Sequence, residues 1–244
     1  VMGVKPASYD DGQPLWSDEE PDFFGSLELR KALWVCLDLN SHFEDLAASF
    51  YPTGYQGPRF KPPVPPALPE PRAALEALGW QDVDGDPNTP RLAKGLEGVK
   101  DGTPFKLRLL SGQSAADAEY AAFIVKQLGS CGIAVEHQAL SPQELYAPGP
   151  EGPLFGRSFD LAIVYFQSSS LPFCLDQTAL AVPKADNNWV GMNISGFSNP
   201  LADAACFSDP GVNEDDSLTL THNYVIGPLI PHPEFWLGLE TDKR

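Results

Sequence analysis

Positive charge is scarce in this chain: 16 Lys and Arg stand against 33 Asp and Glu, for a formal net charge of −17. Such a surface repels phosphate backbones and anionic headgroups, which argues against nucleic-acid binding and reads as a solvated acidic exterior. No run of about 20 apolar residues is present, so nothing in the sequence reads as a membrane-spanning helix. The opening residues Val1 to Pro6 lack the charged and apolar regions of a secretion signal; a secreted parent would have lost it. There is no C-x-x-C pair, no G-x-S-x-G elbow, no G-x-G-x-x-G and no P-loop. Those absences remove the sequence signatures of thiol redox pairs, Ser-His-Asp hydrolases and nucleotide cradles. His42, His137, His222 and His232 lie far apart, and none has a ligand-spaced partner. Neither a metal nor a cofactor is expected, and no catalytic constellation is visible.

What the chain does have is proline, 25 residues of it, with a cluster from Pro58 to Pro71 that reads as an extended surface crossing. It also has four cysteines, for which three pairings exist. Cys174 with Cys206 would close off a loop dense in Gly, Asn and Pro, leaving Cys36 and Cys131 as the other pair; four buried free thiols are the alternative. Two disulfides would place the protein in an oxidising compartment.

Residues 1–25 show no sustained period and read as an arm or a remnant of something preceding; residues 26–244 read as one unit. Ser26 is positioned to cap a helix over roughly 27–49, with Leu29, Leu33, Cys36 and Leu37 at helical spacing. Pro71 to Trp80 reads as a short helix stopped by Gly79. Asp82-Val83-Asp84-Gly85-Asp86 has the look of a calcium loop, but glycine stands fourth instead of sixth and Ala93 occupies the twelfth place, where glutamate is needed. It is read as a turn. The most regular stretch follows: a strand over Phe105 to Leu110, a helix from Ser114 to Gly129 with Ser114 and Asp117 as a capping box, and a strand over Ile133 to His137. That is a β-α-β unit, which implies parallel pairing and a right-handed crossover. Phe159 to Phe166 is nearly all apolar, as a central strand buried on both faces would be. Residues 207–223 read as a polar, acidic loop, and Pro228 to Pro231 with Phe235 to Leu239 as one or two late strands.

Ligands of open α/β sheets collect beyond the carboxyl ends of such strands, where Tyr165, Phe166 and Gln167 follow in sequence. Flat rings and amides can stack on and hydrogen-bond an organic solute without metal or charge. Tyr165, Phe166, Gln167 and Ser168, together with Trp189 and Asn193 from the loop between the last two cysteines, are the candidate binding residues. Asn199-Pro200 ahead of Leu201 reads as a capped helix start closing that loop.

The order of several motifs carries a family resemblance over roughly residues 27–206. Leu29-Arg30-Lys31-Ala32-Leu33 to Asp38, Leu75 to Asp86, and Leu128 to Val135 ("L-x-x-x-G-I-x-V") come first; Phe159-Asp160-Leu161-Ala162 and Asn193 to Asp203 ("N-x-x-G-F-x-N-P-x-x-D") complete the series. The chain thereby resembles extracellular solute-binding proteins of the oligopeptide/nickel type. The resemblance implies an α/β, periplasmic-binding-protein-like (type II) lobe with a mixed, largely parallel sheet flanked by helices. It further implies an extracytoplasmic receptor that closes two lobes around a peptide or other small solute, serves an ABC permease, and derives from a lipid-anchored parent. What aligns is the carboxyl-terminal lobe, so the amino-terminal lobe is expected to lie outside this sequence. Some relatives carry cysteines at the places of Cys36 and Cys131, which supports that pairing. Two departures bear on the ligand: Asp38-Leu39 replaces Asp-Arg, and Tyr165 to Ser170 has the aromatics but not the acid that holds a peptide's amino group. A sensory or interaction module built on the same lobe is the alternative; a secreted hydrolase assembled from residues such as Ser168 and His222 is a third.

Overall fold

The structure, a computed structural model, describes residues 27–37, 70–86, 88–164, 178–194, 196 and 203. Helix α1, Leu27–Leu37, buries Leu29, Ala32, Leu33, Cys36 and Leu37, the stripe its spacing predicts. On its other face Lys31 reaches back to Glu28 at 2.8 Å. Residues 38–49, the rest of the expected helix, lie outside the described residues. Helix α2, Pro71–Ala77, starts on a proline whose missing N–H costs nothing in the first turn. It ends where Gly79 takes φ +92°, a conformation open to glycine. Gly79 is the expected stop, and Trp80, included in the expected helix, lies beyond it. Trp80 instead opens strand β1, Trp80–Gln81, paired antiparallel with β2, Leu92–Ala93. Its indole is buried and stacks on Phe105 with ring centroids 4.1 Å apart.

Strand β3, Lys106–Ser111, helix α3, Ala115–Ser130, and strand β4, Ala134–Ala139, form the expected β-α-β unit with β3 and β4 parallel from Lys106↔Ala134 to Ser111↔Ala139. The capping box is present as predicted: Asp117 N–H donates to Ser114 Oγ at 3.0 Å, and Ser114 N–H to Asp117 Oδ2 at 3.1 Å. A second box, Ser141 with Glu144, starts the single turn α4, Pro142–Leu145. Strand β5 is shorter than the apolar run suggested, only Leu161–Ala162, and pairs parallel with β3 at Leu109↔Leu161. Among the described residues the order is β4-β3-β5, so β3 rather than β5 is central.

The sheet divides two cores, and the alternation of its side chains shows how. Leu107, Leu109, Leu161 and Ile163 face the cluster built with α1, α3, Trp80 and Phe105. Leu110, Ala162 and Val164 face the other, with Leu145, Leu154, Phe159 and Ile194. Both faces being covered explains why residues 159–164 are almost continuously apolar. The exception, Asp160, is buried because it closes the sheet: its N–H donates to the Arg108 carbonyl at 3.3 Å and its Oδ2 accepts the Arg108 N–H at 2.6 Å. At the foot of α3, where the last helical turn has no basic residue of its own, two arginines arrive from elsewhere. Arg72 donates through Nε and Nη2 to the Ser130 carbonyl (3.1 and 2.7 Å), and Arg91 through Nε to that of Cys131 (2.7 Å). Cys131 is disulfide-bonded to Cys36, tying α1 to the same helix end. Cys174 and Cys206 lie outside the described residues.

Candidate functional site

Beyond the carboxyl end of β5 the described chain resumes at Thr178 and runs through two single-turn 3₁₀ helices, Ala179–Ala181 and Ala185–Asn187. These short turns cannot satisfy their own backbone, and side-chain amides do it for them. Asn187 accepts the Lys184 N–H on Oδ1 at 3.0 Å and donates Nδ2 to the Val182 carbonyl at 2.8 Å. Asn193 donates Nδ2 to the Thr178 carbonyl at 3.0 Å, and its own N–H goes to the Ala181 carbonyl at 2.9 Å. The other end of that Thr178–Ala179 peptide group, the Ala179 N–H, is accepted by Asp203 at 3.2 Å. One peptide unit is thus clasped from both ends by the first and last residues of the N-x-x-G-F-x-N-P-x-x-D motif. Gly191 is required beneath it, because a Cβ there would lie 2.0 Å from the Ala181 carbonyl oxygen.

Asn188 and Trp189 both take left-handed conformations, φ +54° and +59°, a run that two side-chain-bearing residues rarely adopt. The Trp189 N–H returns to the Lys184 carbonyl at 2.9 Å, and the half-buried indole lies on Gly149, where a Cβ would come within 2.5 Å of Cε3. Trp189 therefore joins this loop to the segment following α4. Beside it Leu180 and Val190 are 67 % and 70 % exposed, an apolar margin on an otherwise polar turn.

The burial of Asp203 pushes its carboxyl above the usual range, with the Ala179 hydrogen bond pulling the other way. His137 Nε2 and Ser111 Oγ are 2.7 Å apart. Partial burial lowers the imidazole below its ordinary value, while the charge of Asp117 opposes that shift. Ser111 itself is fully buried and donates to the Gly112 carbonyl, so this Ser-His pair offers no exposed nucleophile. The Asp82–Asp86 turn uses its carboxylates on itself: Asp82 accepts from Gly85 N–H, Asp84 from Asp86 N–H and Thr89 Oγ1, Asp86 from Asn88. Among the described residues no group of three or more His, Cys, Asp or Glu is placed to hold a metal.

Of the residues predicted to bind, Trp189 and Asn193 are described, and Tyr165, Phe166, Gln167 and Ser168 lie outside the described residues. The structure separates the two it describes. Trp189 is half-buried, whereas Asn193 is fully buried with its amide turned to Thr178. Sequence reasoning missed the loop-holding roles of Asp203 and Gly149; of these, only Asp203 left a signal, as the last letter of the N-x-x-G-F-x-N-P-x-x-D motif.

No protein-family profile and no curated protein matches the chain. Solved structures do. An oligopeptide-binding protein, AppA, from Bacillus subtilis in complex with a nonapeptide superposes with a TM-score of 0.58 at 19 % identity, over 87 % of this chain and 42 % of that one. An oligopeptide-binding protein from Thermus thermophilus complexed with a pentapeptide gives 0.62 at 17 % identity, over 84 % and 37 %. A periplasmic oligopeptide-binding protein of an ABC transporter from Thermotoga maritima, with mannohexaose bound, gives 0.55 at 18 % identity, over 84 % and 40 %. The chain has the α/β fold of these periplasmic binding proteins and spans about two fifths of their length.

Proposed function

We propose that this chain is one lobe of an extracytoplasmic receptor that captures a peptide-like or other small organic solute and delivers it to an ABC permease. The observation that carries the reading is the fold itself: similarity extends over 84–87 % of the chain, to proteins solved with a nonapeptide, a pentapeptide and a mannohexaose. Capture is non-covalent, and the protein is not an enzyme. Tyr165, Phe166 and Trp189 supply stacking faces, and Gln167 and Ser168 supply hydrogen bonds at the carboxyl end of the sheet. Asn193 serves as a positioning residue, because its amide holds the Thr178 carbonyl and so sets the loop that carries Trp189. The second wall of the cleft is the lobe of a longer, lipid-anchored parent, and hinge closure buries the solute between the two. The absence of an acid among Tyr165 to Ser170 favours solutes that do not need a carboxylate partner for a free amine.

The deciding experiment is thermal-shift screening of the two-lobed parent against peptides, oligosaccharides and metal chelates, followed by calorimetry on the hits. One solute class is expected to raise the parent's Tm, and Trp189→Ala to weaken it. The 244-residue chain alone is expected to bind the same solute far more weakly. Silence across all three classes would count against a solute receptor, and tight capture by this chain alone would remove the need for a second lobe.

A further inference from the structure

The outer edge of β4 is open among the described residues, and a groove runs beside its start. Ala134 N–H donates inward to the Phe105 carbonyl at 3.0 Å, and Leu140 N–H to that of Ser111 at 2.9 Å. Strand periodicity then turns the N–H and C=O groups of Val135, His137 and Ala139 outward, away from β3. Residues 136–139 are all exposed. An unpaired row of this kind is a template for another strand. Next to it lies a groove of about 560 Å³, floored by Val125, Ile133 and Val135 and bordered by Asn88, Arg72 and Lys126. Its volume falls in the range of ligand-binding clefts.

Charge marks one end of this groove. In a chain of net charge −17, with acids outnumbering bases two to one, a cation left without a carboxylate is available to an incoming one. Arg91 has Glu76, Lys106 has Glu136 and Lys31 has Glu28. Among the described residues Arg72 and Lys126, like Lys94 and Lys100, have none, and of these four the first two border the groove. Arg72 is also held in place, two of its nitrogens being fixed on the Ser130 carbonyl. A pre-positioned guanidinium beside a second cation suits a carboxylate.

We infer that this edge and groove receive the extended carboxyl-terminal segment of a partner polypeptide, added to β4 as an antiparallel strand with its terminal carboxylate between Arg72 and Lys126. The direction follows from the geometry: both cations stand at the amino end of β4, so a strand ending there runs against it. Main-chain pairing with Val135, His137 and Ala139 supplies affinity, and the apolar floor accepts alternate side chains. A second copy of this chain suits the edge less well, since two bodies of charge −17 would meet with Glu136 near the contact. The inference does not rest on the solute reading, because the groove lies at the amino end of the sheet and the proposed solute wall at its carboxyl end.

The test is residue-resolved amide hydrogen exchange on the 244-residue chain, with a synthetic acetyl-Thr-Val-Thr-Val-Thr-Val peptide as probe, either with a free carboxyl end or amidated. In the free chain the amides of Val135, His137 and Ala139 should exchange rapidly and independently of protein concentration. The free-acid peptide should slow all three, binding about fivefold more tightly than the amide. Lys126→Glu should abolish that preference while leaving the exchange of α3 and β3 amides unchanged, which separates a lost contact from a lost fold. Several outcomes overturn the inference: amides already protected in dilute free chain, protection that rises with protein concentration, or peptide binding that leaves these three amides unslowed. Equal binding of acid and amide forms would remove the role given to Arg72 and Lys126.

Discussion

The peptide group between Thr178 and Ala179 is held by side chains 15 and 24 positions further along, and the two holders differ chemically. Asn193 donates and is neutral; Asp203 accepts and carries a charge that burial disfavours, so its pKa is raised. A carboxyl with a raised folded-state pKa contributes stability that is present below its unfolded value of about 3.8 and lost as pH rises through the folded one. At neutral pH the charge is therefore a cost, and the accepted hydrogen bond is the gain. Asp203→Asn keeps an acceptor and removes the charge, so urea unfolding at neutral pH should find it no less stable than the natural chain. Asp203→Ala leaves the Ala179 N–H without its partner and should cost about 1–2 kcal/mol. Equal losses in both variants would mean that the charge, and not the hydrogen bond, is what the fold uses. His137 has the opposite sign. Its lowered pKa contributes stability that is present above its unfolded value of 6.5 and lost as pH falls through the folded one. The Tm should accordingly decline as pH drops below 6.5, and His137→Gln should flatten that part of the profile; parallel profiles would rule His137 out as the cause.

At the scale of elements, the interactions that could be read in the sequence are the local ones. Ser114 and Asp117 stand three residues apart, and a capping box needs only that spacing, so the start of α3 was visible. The β-α-β unit was visible too, because its periods change from two to 3.6 and back. Gly79 was legible as the stop of α2, but the two-residue strand that Trp80 opens was too short to leave a period. The inward turn of Asn193 was not legible at all, since a hydrogen bond to a backbone carbonyl 15 positions away leaves no pattern among residue types. Arg91 is a similar case, with its partners Trp80 and Cys131 on separate elements. Asp160 lies between these extremes: its place in Phe159-Asp160-Leu161-Ala162 could be read, but its partner could not. The structure shows that this one carboxylate joins β5 to β3 over a strand pair only two residues long. Asp160→Ala should therefore cost about 2 kcal/mol by stranding the half-buried Arg108 N–H, while Asp160→Asn retains an acceptor and should cost less. Amide exchange at Arg108 and Ile163 would locate the damage; faster exchange confined to α1 would contradict it.

For the whole molecule, the larger core depends on three segments meeting at the foot of α3: α1 through Cys36, the α2–β2 region through Arg72 and Arg91, and the turn into β4 through Gly132, whose carbonyl accepts the Arg91 N–H at 2.8 Å. The disulfide spans a sequence separation of 95, so most of its effect falls on the unfolded chain, where it forbids α1 from drifting away from α3. The chain-entropy account puts that restraint at about 4–5 kcal/mol, a large share of the roughly 5–15 kcal/mol that a domain has in total. The arginine contacts act differently, because they stabilise the folded helix end and do not depend on the redox state. Cys36→Ser combined with Cys131→Ser should thus leave α3 capped and the fold recognisable by circular dichroism, while lowering the denaturant midpoint substantially. The slope of the transition should also rise, since an unrestrained unfolded chain exposes more surface. Reducing the natural protein should lower the midpoint at least as far. Equal midpoints for the oxidised and reduced natural chain would show instead that the contacts around Arg91 and Trp80 hold α1 in place without the sulfur bridge.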